Sequence, residues 1–180
     1  MDASTIDIEK LVRVIPDYPK TGIIFRDVTT LFADADGLRV TIEAMAAPFR
    51  DAGIDLIVGV DARGFIIGGA MGMAMGKGFV PIRKRGKLPP EVYREEYTLE
   101  YGTSEVEINV NAVPKGARVL LVDDLIATGG TAMAAVKLVE RVGGTVAAAS
   151  FTIDLPDIGG SKLLRAQGVE VFSVLSYPGD

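Results

Sequence analysis

Two adjacent carboxylates, Asp123 and Asp124, end the apolar run Val119 to Val122, and the chain then passes through Ala127-Thr128-Gly129-Gly130-Thr131 into a segment with helical spacing. An apolar run this short, rich in Val and bounded by turn signals, reads as a buried strand, so the order is strand, polar loop, helix. The loop leads into a helix N-terminus, where unpaired backbone N–H groups and about half a positive charge favour an anion. Gly129 and Gly130 let the backbone approach that anion, and the hydroxyls of Thr128 and Thr131 add donors. The acids cannot hold a phosphate, being negative themselves, but carboxylates accept hydrogen bonds from vicinal hydroxyls such as those of a ribose. Each piece also has an ordinary use: Asp-Asp as a solvated loop, Gly-Gly as a turn, Thr128 or Thr131 as a helix cap. A sugar phosphate accounts for the acids and the cradle together.

Basic side chains gather at a second place. Arg83, Lys84, Arg85 and Lys87 crowd directly after the apolar run Phe79 to Ile82, at another strand end. Charge runs are usually solvated faces, but in a chain of net charge −5 this knot is placed to meet a small anion. The same acidic balance argues against a general nucleic-acid surface.

The absences are as informative. The chain has no Cys and no His, which excludes disulfides, thiolate catalysis, Ser-His triads and His- or Cys-bound metals. Asp, Glu, Lys and Tyr remain for proton transfer. The nucleotide-triphosphatase pattern GxxxxGK[ST] is missing, since GMAMGKG has the wrong spacing and no hydroxyl after Lys77. Nor does either strand end, VDARGF or VDDLIATGGT, fit the dinucleotide pattern GxGxxG.

These residues need elements to position them. A length of 180 residues with 48% hydrophobic and 24% charged side chains fits one globular domain. Ser4 can cap a first helix carrying Ile8, Leu11, Val12 and Ile15 that stops at Pro16, and residues 16–30 read as an extended or loop segment of mixed character. Asp34 or Asp36 can cap a second helix with Leu38, Ile42, Met45, Ala46 and Phe49, ended by Gly53. From Asp55 the alternation becomes regular: strands in DLIVGVD, FVPIR, ARVLLVDD, TVAAASFTID and VEVFSVL, helices in 64–76, 130–142 and 158–166. That order predicts a mostly parallel sheet covered by helices on both faces. Gly64, Gly68, Gly72 and Gly76 form a stripe that predicts close helix-sheet packing. This helix is too short for a bilayer, which takes about 20 apolar residues. The N-terminal segment lacks a basic stretch followed by an apolar run, so the expected location is the cytoplasm. The one irregular stretch lies between Arg83 and Ala117, where EEYTLEYG and SEVEINV alternate like a two-stranded antiparallel arm, the kind of excursion that often forms a lid.

VLLVDDLIATGGT resembles the phosphoribosyl pyrophosphate signature of the type I phosphoribosyltransferases, and IPDYPKTGIIFRDVTTL, DARGF, VPIRKRGKLP and YTLEYG, met in that order, resemble the adenine-specific members of that family. The resemblance runs from about Ile15 to the end of the chain. It implies an α/β fold, a mostly parallel central sheet flanked by helices, in a single domain 1–180 with a small N-terminal hood at about 15–35 and a flexible antiparallel arm at about 84–116. It implies transfer of the 5-phosphoribosyl group from phosphoribosyl pyrophosphate to adenine through a transition state resembling an oxocarbenium ion. Carried over residue by residue, Ala127, Thr128, Gly129, Gly130 and Thr131 hold the 5′-phosphate; Asp123 and Asp124 hold the ribose hydroxyls; Arg63, Arg83, Lys84 and Lys87 hold pyrophosphate; and Ile24, Phe25 and Arg26 form the adenine site. Glu100 and Tyr101 match the pair that closes over the site, the carboxylate exchanging a proton with the purine ring, and Arg63 joins them as catalytic. The same resemblance implies Mg²⁺ held through the substrate with no dedicated protein ligands and a homodimer, while the acidic balance and the short apolar stretch predict neither nucleic-acid nor membrane partners. Many relatives have Glu-Ser before the Arg-Gly pair where this chain has Asp61-Ala62. Two other readings share the fold: an enzyme for another purine, and a non-catalytic ligand-sensing regulator.

Overall fold

The computed structural model describes residues 6–98 and 102–179. Its strands are β1 (Arg13–Pro16), β2 (Ile24–Asp27), β3 (Leu56–Val60), β4 (Gly78–Lys84), β5 (Val92–Thr98), β6 (Thr103–Asn109), β7 (Arg118–Ile126), β8 (Thr145–Asp154) and β9 (Glu170–Ser176). Its helices are α1 (Ile8–Leu11), α2 (Thr29–Ala33), α3 (Ala35–Ala46), α4 (Arg63–Met75), α5 (Gly130–Arg141) and α6 (Gly160–Ala166). The main sheet runs β5-β6-β4-β3-β7-β8-β9, while β1 and β2 form a separate antiparallel ribbon. Within the main sheet β4, β3, β7, β8 and β9 are parallel, and β6 is antiparallel to both β4 and β5.

The parallel strands carry long apolar runs because both their faces are covered. Val58 and Val60 share a core with Val119, Leu121 and the α5 residues Ala135, Leu138 and Val139. Ile57, Leu120 and Val122 point to the other side, against Ile42 and Met45 of α3 and Ile67 and Met71 of α4. Gly64, Gly68 and Gly72 bring α4 close to β7 and to the start of β4, as the stripe's spacing predicts, whereas Gly76 is the left-handed C-cap of α4 with open space around it. A Cβ on Gly68 would stand 2.3 Å from the Phe79 ring, and one on Gly59 would stand 2.4 Å from the carbonyl oxygen of Gly64.

The N-terminal segment departs from its helical reading. The helix ends at Leu11, and Arg13–Pro16 is extended against Ile24–Asp27. Val12, Val14 and Ile15 are β-branched and the residue before Pro16 is biased away from helix, so an available antiparallel partner wins over helical spacing. Ser4 lies outside the described residues. Residues 16–30 resolve into β2 and the start of α2. Of the two candidate caps for α3 it is Asp34 that acts, its carboxylate accepting the Gly37 N–H at 2.7 Å. Pro48 has no N–H to continue α3, and Phe49 closes a single 3₁₀ turn before Gly53 is reached.

The predicted pair of antiparallel strands forms as β5 and β6, but it extends the main sheet: Arg83 pairs with Glu107 and Lys84 with Val106. β5 then lies along α5. The Arg141 guanidinium sits 4.4 Å from the centre of the Tyr93 ring, and Lys137 Nζ is 2.8 Å from a Glu95 oxygen.

Candidate active site

The carboxyl ends of β3, β4 and β7 open into a cleft of about 390 Å³, the place where parallel α/β sheets bind ligands. Its lining comes from Asp61 and Arg63 after β3, Lys84 at the end of β4, Tyr97 on β5, the continuous stretch Asp123 to Ala132, and Phe151 on β8.

The acid pair is held from beneath. Asp124 is 5% exposed, and its Oδ2 accepts a hydrogen bond from Arg63 Nε at 2.5 Å. Asp123 Oδ1 accepts the Asp124 N–H at 2.9 Å. Gly64 makes this possible, since a Cβ there would stand 3.0 Å from Asp123 Oδ1 and 3.0 Å from the Val122 carbonyl oxygen. Burial, and then the charge of Asp124, push the Asp123 carboxyl well above the ordinary value of 3.8. Burial alone would lower the pKa of Arg63, but the charge and hydrogen bond of Asp124, with Asp123 and Asp27 behind, hold it above its usual value. Two carboxyls against one guanidinium leave this wall of the cleft rich in acceptors, and a centre that becomes cationic beside them favours the ionised form of Asp123.

The cradle follows. Gly129 is the N-cap of α5 at φ +80°, a conformation side chains disfavour. The Met133 N–H bonds the Gly129 carbonyl at 2.8 Å, and ahead of it the Gly130 N–H reaches the Thr128 hydroxyl only at 3.5 Å, in the first turn where a helix N-terminus offers its N–H groups to an anion. The loop is braced from behind by a second Gly-Gly pair. The Gly160 N–H donates to the Ala127 carbonyl at 2.8 Å, and a Cβ on Gly160 would stand 2.4 Å from that oxygen. The end of β5 covers the loop from another side, the Thr98 carbonyl oxygen standing 3.0 Å from where a Gly130 Cβ would be. Sequence reasoning missed Gly160 and Tyr97. The dipeptide Gly159-Gly160 at a helix start was the available signal for the first; Tyr97 heads the YTLEYG motif, but only the sheet register brings its side chain to the cleft.

The structure divides the basic candidates. Arg63 and Lys84 line the cleft. Arg83 is drawn aside: its Nε lies 3.4 Å from Asp61 Oδ2, its Nη1 donates to the Lys87 carbonyl at 3.0 Å, and its guanidinium is 5.8 Å from the Phe65 ring centre. Asp61 therefore anchors the basic turn from the β3 end, while Lys87 contributes its carbonyl to Arg83 and its side chain is exposed.

Ile24, Phe25 and Arg26 lie on β2 in the ribbon. Phe25 meets Tyr18 edge to face at 5.3 Å, and the Arg26 guanidinium covers the Tyr177 ring at 4.2 Å. None of the three lines the cleft itself. The next residue, Asp27, pairs with Arg13 and accepts hydrogen bonds from the Thr29 N–H and hydroxyl; Val28, directly after it, packs in one cluster with Leu125 of the cleft lining, so the end of β2 lies beside the cleft. Glu100 and Tyr101 are outside the described residues. Among the described residues no group of three or more Asp, Glu, His or Cys gathers as a metal site.

This arrangement of strand-end acids, glycine cradle and basic turn defines a class, and comparison with known proteins agrees. The phosphoribosyl transferase domain model matches residues 28–158, and the chain belongs to that family. Within it, the chain is 54% identical over 175 residues to the adenine phosphoribosyltransferase of Chlorobium luteolum, covering 96% of this chain and 99% of that one. The crystal structure of the adenine phosphoribosyltransferase from Rhodothermus marinus superposes with a TM-score of 0.87 at 45% identity, covering 94% and 96% of the two chains. That of the Saccharomyces cerevisiae enzyme, complexed with adenine and an imino-altritol bisphosphate, gives 0.87 at 37%, covering 93% and 96%.

Proposed function

We infer that the protein transfers the 5-phosphoribosyl group of phosphoribosyl pyrophosphate to adenine, forming AMP and releasing pyrophosphate. The observation that carries this reading is the meeting, in one cleft, of the acid pair Asp123–Asp124 with the helix N-terminus opened by Gly129 and Gly130. The cradle from Ala127 to Thr131 binds the 5′-phosphate through backbone N–H groups and hydroxyls. The two carboxylates take the ribose hydroxyls and face the positive charge that grows on the anomeric carbon as its bond to pyrophosphate breaks. Arg63 and Lys84 meet the departing pyrophosphate, with Arg83 and Lys87 on the turn that carries Lys84. The new bond joins the anomeric carbon to a purine nitrogen, and the proton of that nitrogen passes to Glu100, with Tyr101 next to it. The adenine assignment to Ile24, Phe25 and Arg26 is supported by the names of the relatives and by the place of β2 beside the cleft.

The residues fit Mg²⁺ carried on substrate oxygens. Asp61 is paired with Arg83 and Asp124 with Arg63, which among the described residues leaves Asp123 as the one cleft carboxylate without a cationic partner at bonding distance. One carboxylate cannot enclose this ion, which keeps several waters and leans on phosphates. When bound, Mg²⁺ supplies neutralisation of the pyrophosphate charge.

A homodimer belongs to the same reading. It is supported by the outer face of α4, where Ile66 and Met73 are 49% and 86% exposed, and light scattering of the purified protein tests it. So does a cytoplasmic setting, since phosphorylated substrates do not cross a lipid bilayer unaided. Among the described residues no helix is long and apolar enough to cross a membrane.

The experiment is a chromatographic count of nucleotides formed from phosphoribosyl pyrophosphate, Mg²⁺ and an equimolar mixture of adenine, hypoxanthine, guanine, xanthine and orotate. AMP is the expected product, because adenine offers an amino donor and an unprotonated ring nitrogen where hypoxanthine offers a carbonyl and an N–H. Mismatched hydrogen bonding of that kind discriminates by about 10⁴-fold. A predominance of IMP or GMP would overturn the adenine assignment. Binding without any nucleotide would replace the enzyme by a ligand sensor.

A further inference from the structure

We infer that Glu107 is a positioning residue for the pyrophosphate side of the reaction, tying the basic turn to the β5–β6 arm so that the two present Lys84 to the cleft as one body. The inference rests on the function proposed above. Glu107 is 1% exposed, on a strand whose flanking residues Val106 and Ile108 face the α5 core. Strand alternation puts Glu107 on the opposite face, where its burial must come from whatever lies over it. A buried carboxylate is costly unless it is paired, and this one is paired twice. Oε1 accepts Arg94 Nε from β5 at 2.7 Å, and Oε2 accepts the Gly86 N–H of the basic turn at 3.0 Å. The sheet register sets Glu107 between Arg83 on one side and Arg94 on the other. One side chain on β6 therefore holds β5 and the turn that follows β4.

The other fastenings of that turn point the same way. The Arg85 N–H bonds the Glu105 carbonyl at 3.2 Å, and the Arg85 guanidinium pairs with the Glu105 carboxylate at 3.0 Å. The Lys87 N–H closes back on the Lys84 carbonyl at 3.3 Å, and Gly86 takes a left-handed φ of +76° that lets its N–H turn inward. The hydrogen bond from Arg94 holds the Glu107 carboxyl below its ordinary range in spite of burial, with the Gly86 N–H and the Arg85 charge in support, so the clamp is ionised at neutral pH. Lys84 lies two residues before Gly86 and lines the cleft. Its placement thus depends on an acid that never touches a ligand.

The test is Glu107→Gln, which keeps the size of the side chain but leaves one oxygen to accept from two donors. The expected result is a rise of about tenfold in KM for phosphoribosyl pyrophosphate and a similar weakening of Mg²⁺-pyrophosphate binding by calorimetry, the loss of one charge-assisted hydrogen bond. Turnover at saturation, KM for adenine and the binding of AMP, which rests on the cradle, should stay within about twofold. Unchanged pyrophosphate affinity overturns the inference, as does an equal loss for AMP and pyrophosphate, which would make Glu107 a general stabiliser only. Failure of the wild type to form AMP would remove the proposed function, while the pyrophosphate calorimetry, needing no turnover, would still decide the clamp. Amide exchange in the wild type is independent of any variant: the Gly86 N–H should be protected like the strand amides of β6, and exchange at the rate of an open turn overturns the inference.

Discussion

On one wall of the cleft, the loop from Ala127 to Thr131 is set by backbone: a left-handed Gly129, a carbonyl taken by Met133, and Gly160 packed where no side chain fits. On the other wall, the basic turn is set by side-chain charges: Asp61 on Arg83, Glu105 on Arg85, and Glu107 on Arg94 and the Gly86 N–H. The first kind of support is rigid and indifferent to salt. The second can be retuned by a single proton or a shift of the arm. A phosphate that stays bound through the reaction suits the rigid wall, and a pyrophosphate that must leave suits the adjustable one.

The comparison breaks most completely at Gly129. In Gly129→Val a Cβ would stand 2.9 Å from the Gly160 Cα at a φ of +80°, so the loop must move away from the phosphate. Turnover should fall by at least about 10²-fold, the cost of misplacing a binding group by roughly an ångström. The rise in Tm given by phosphoribosyl pyrophosphate with Mg²⁺ should vanish as well. A wild-type shift would mean that the phosphate sits elsewhere and that the two walls differ in nothing relevant to it.

The two walls should also respond to pH with opposite signs. Asp123 has its folded pKa raised above the unfolded value of 3.8, so the native state holds the proton longer, and stability falls as pH rises from 3.8 through the raised value. Glu107 has its folded pKa lowered from 4.5; its contribution is present above 4.5 and is lost as pH falls through the folded value. In urea titrations of the ligand-free protein, Asp123→Asn should match the wild type in strong acid and exceed it at neutral pH, while losing turnover. Glu107→Gln should do the reverse, losing stability at neutral pH and converging with the wild type in acid. Parallel curves for the two variants would mean that the walls are not held differently.

The difference between the walls also explains what could be read from the amino-acid order. The rigid wall is encoded within one short stretch: apolar strand, Asp123-Asp124, Gly129-Gly130, helix start. Backbone chemistry of that kind is local, so residue types and spacing suffice. The adjustable wall depends on pairings between distant positions. Nothing around Glu107 marks it as buried, because its burial follows from the register of β6 on β4 and from a turn folded over it. Asp61 likewise acquires its partner only when β3 and β4 lie side by side. The N-terminal segment shows a third limit. Ile8, Leu11, Val12 and Ile15 satisfy helical spacing, yet Val12 is buried with Val28, Leu31 and Ile153, a cluster that forms only once the ribbon lies over the ends of β8 and β9. Local preference was ambiguous there, and the tertiary partner decided it.

The smallest effect expected separates the arm's attachment to α5 from its attachment to the basic turn. Lys137 Nζ bonds Glu95 on β5 at 2.8 Å, with the lysine side chain 57% exposed and the glutamate 24%, so water reaches the pair chiefly from the lysine side. Exposed pairs of this kind contribute about 0.2–1 kcal/mol, and Arg141 stacked on Tyr93 keeps β5 on α5 without it. Lys137→Ala should lower Tm by no more than about 2–4 °C, the shift that 1 kcal/mol gives a chain of this size. Since Lys137 takes no part in the clamp at Glu107, pyrophosphate affinity should not change, whereas Glu107→Gln is expected to weaken it. If Lys137→Ala weakened pyrophosphate as much as Glu107→Gln does, the basic turn would be held in place through α5, and the two walls would form one mechanical unit.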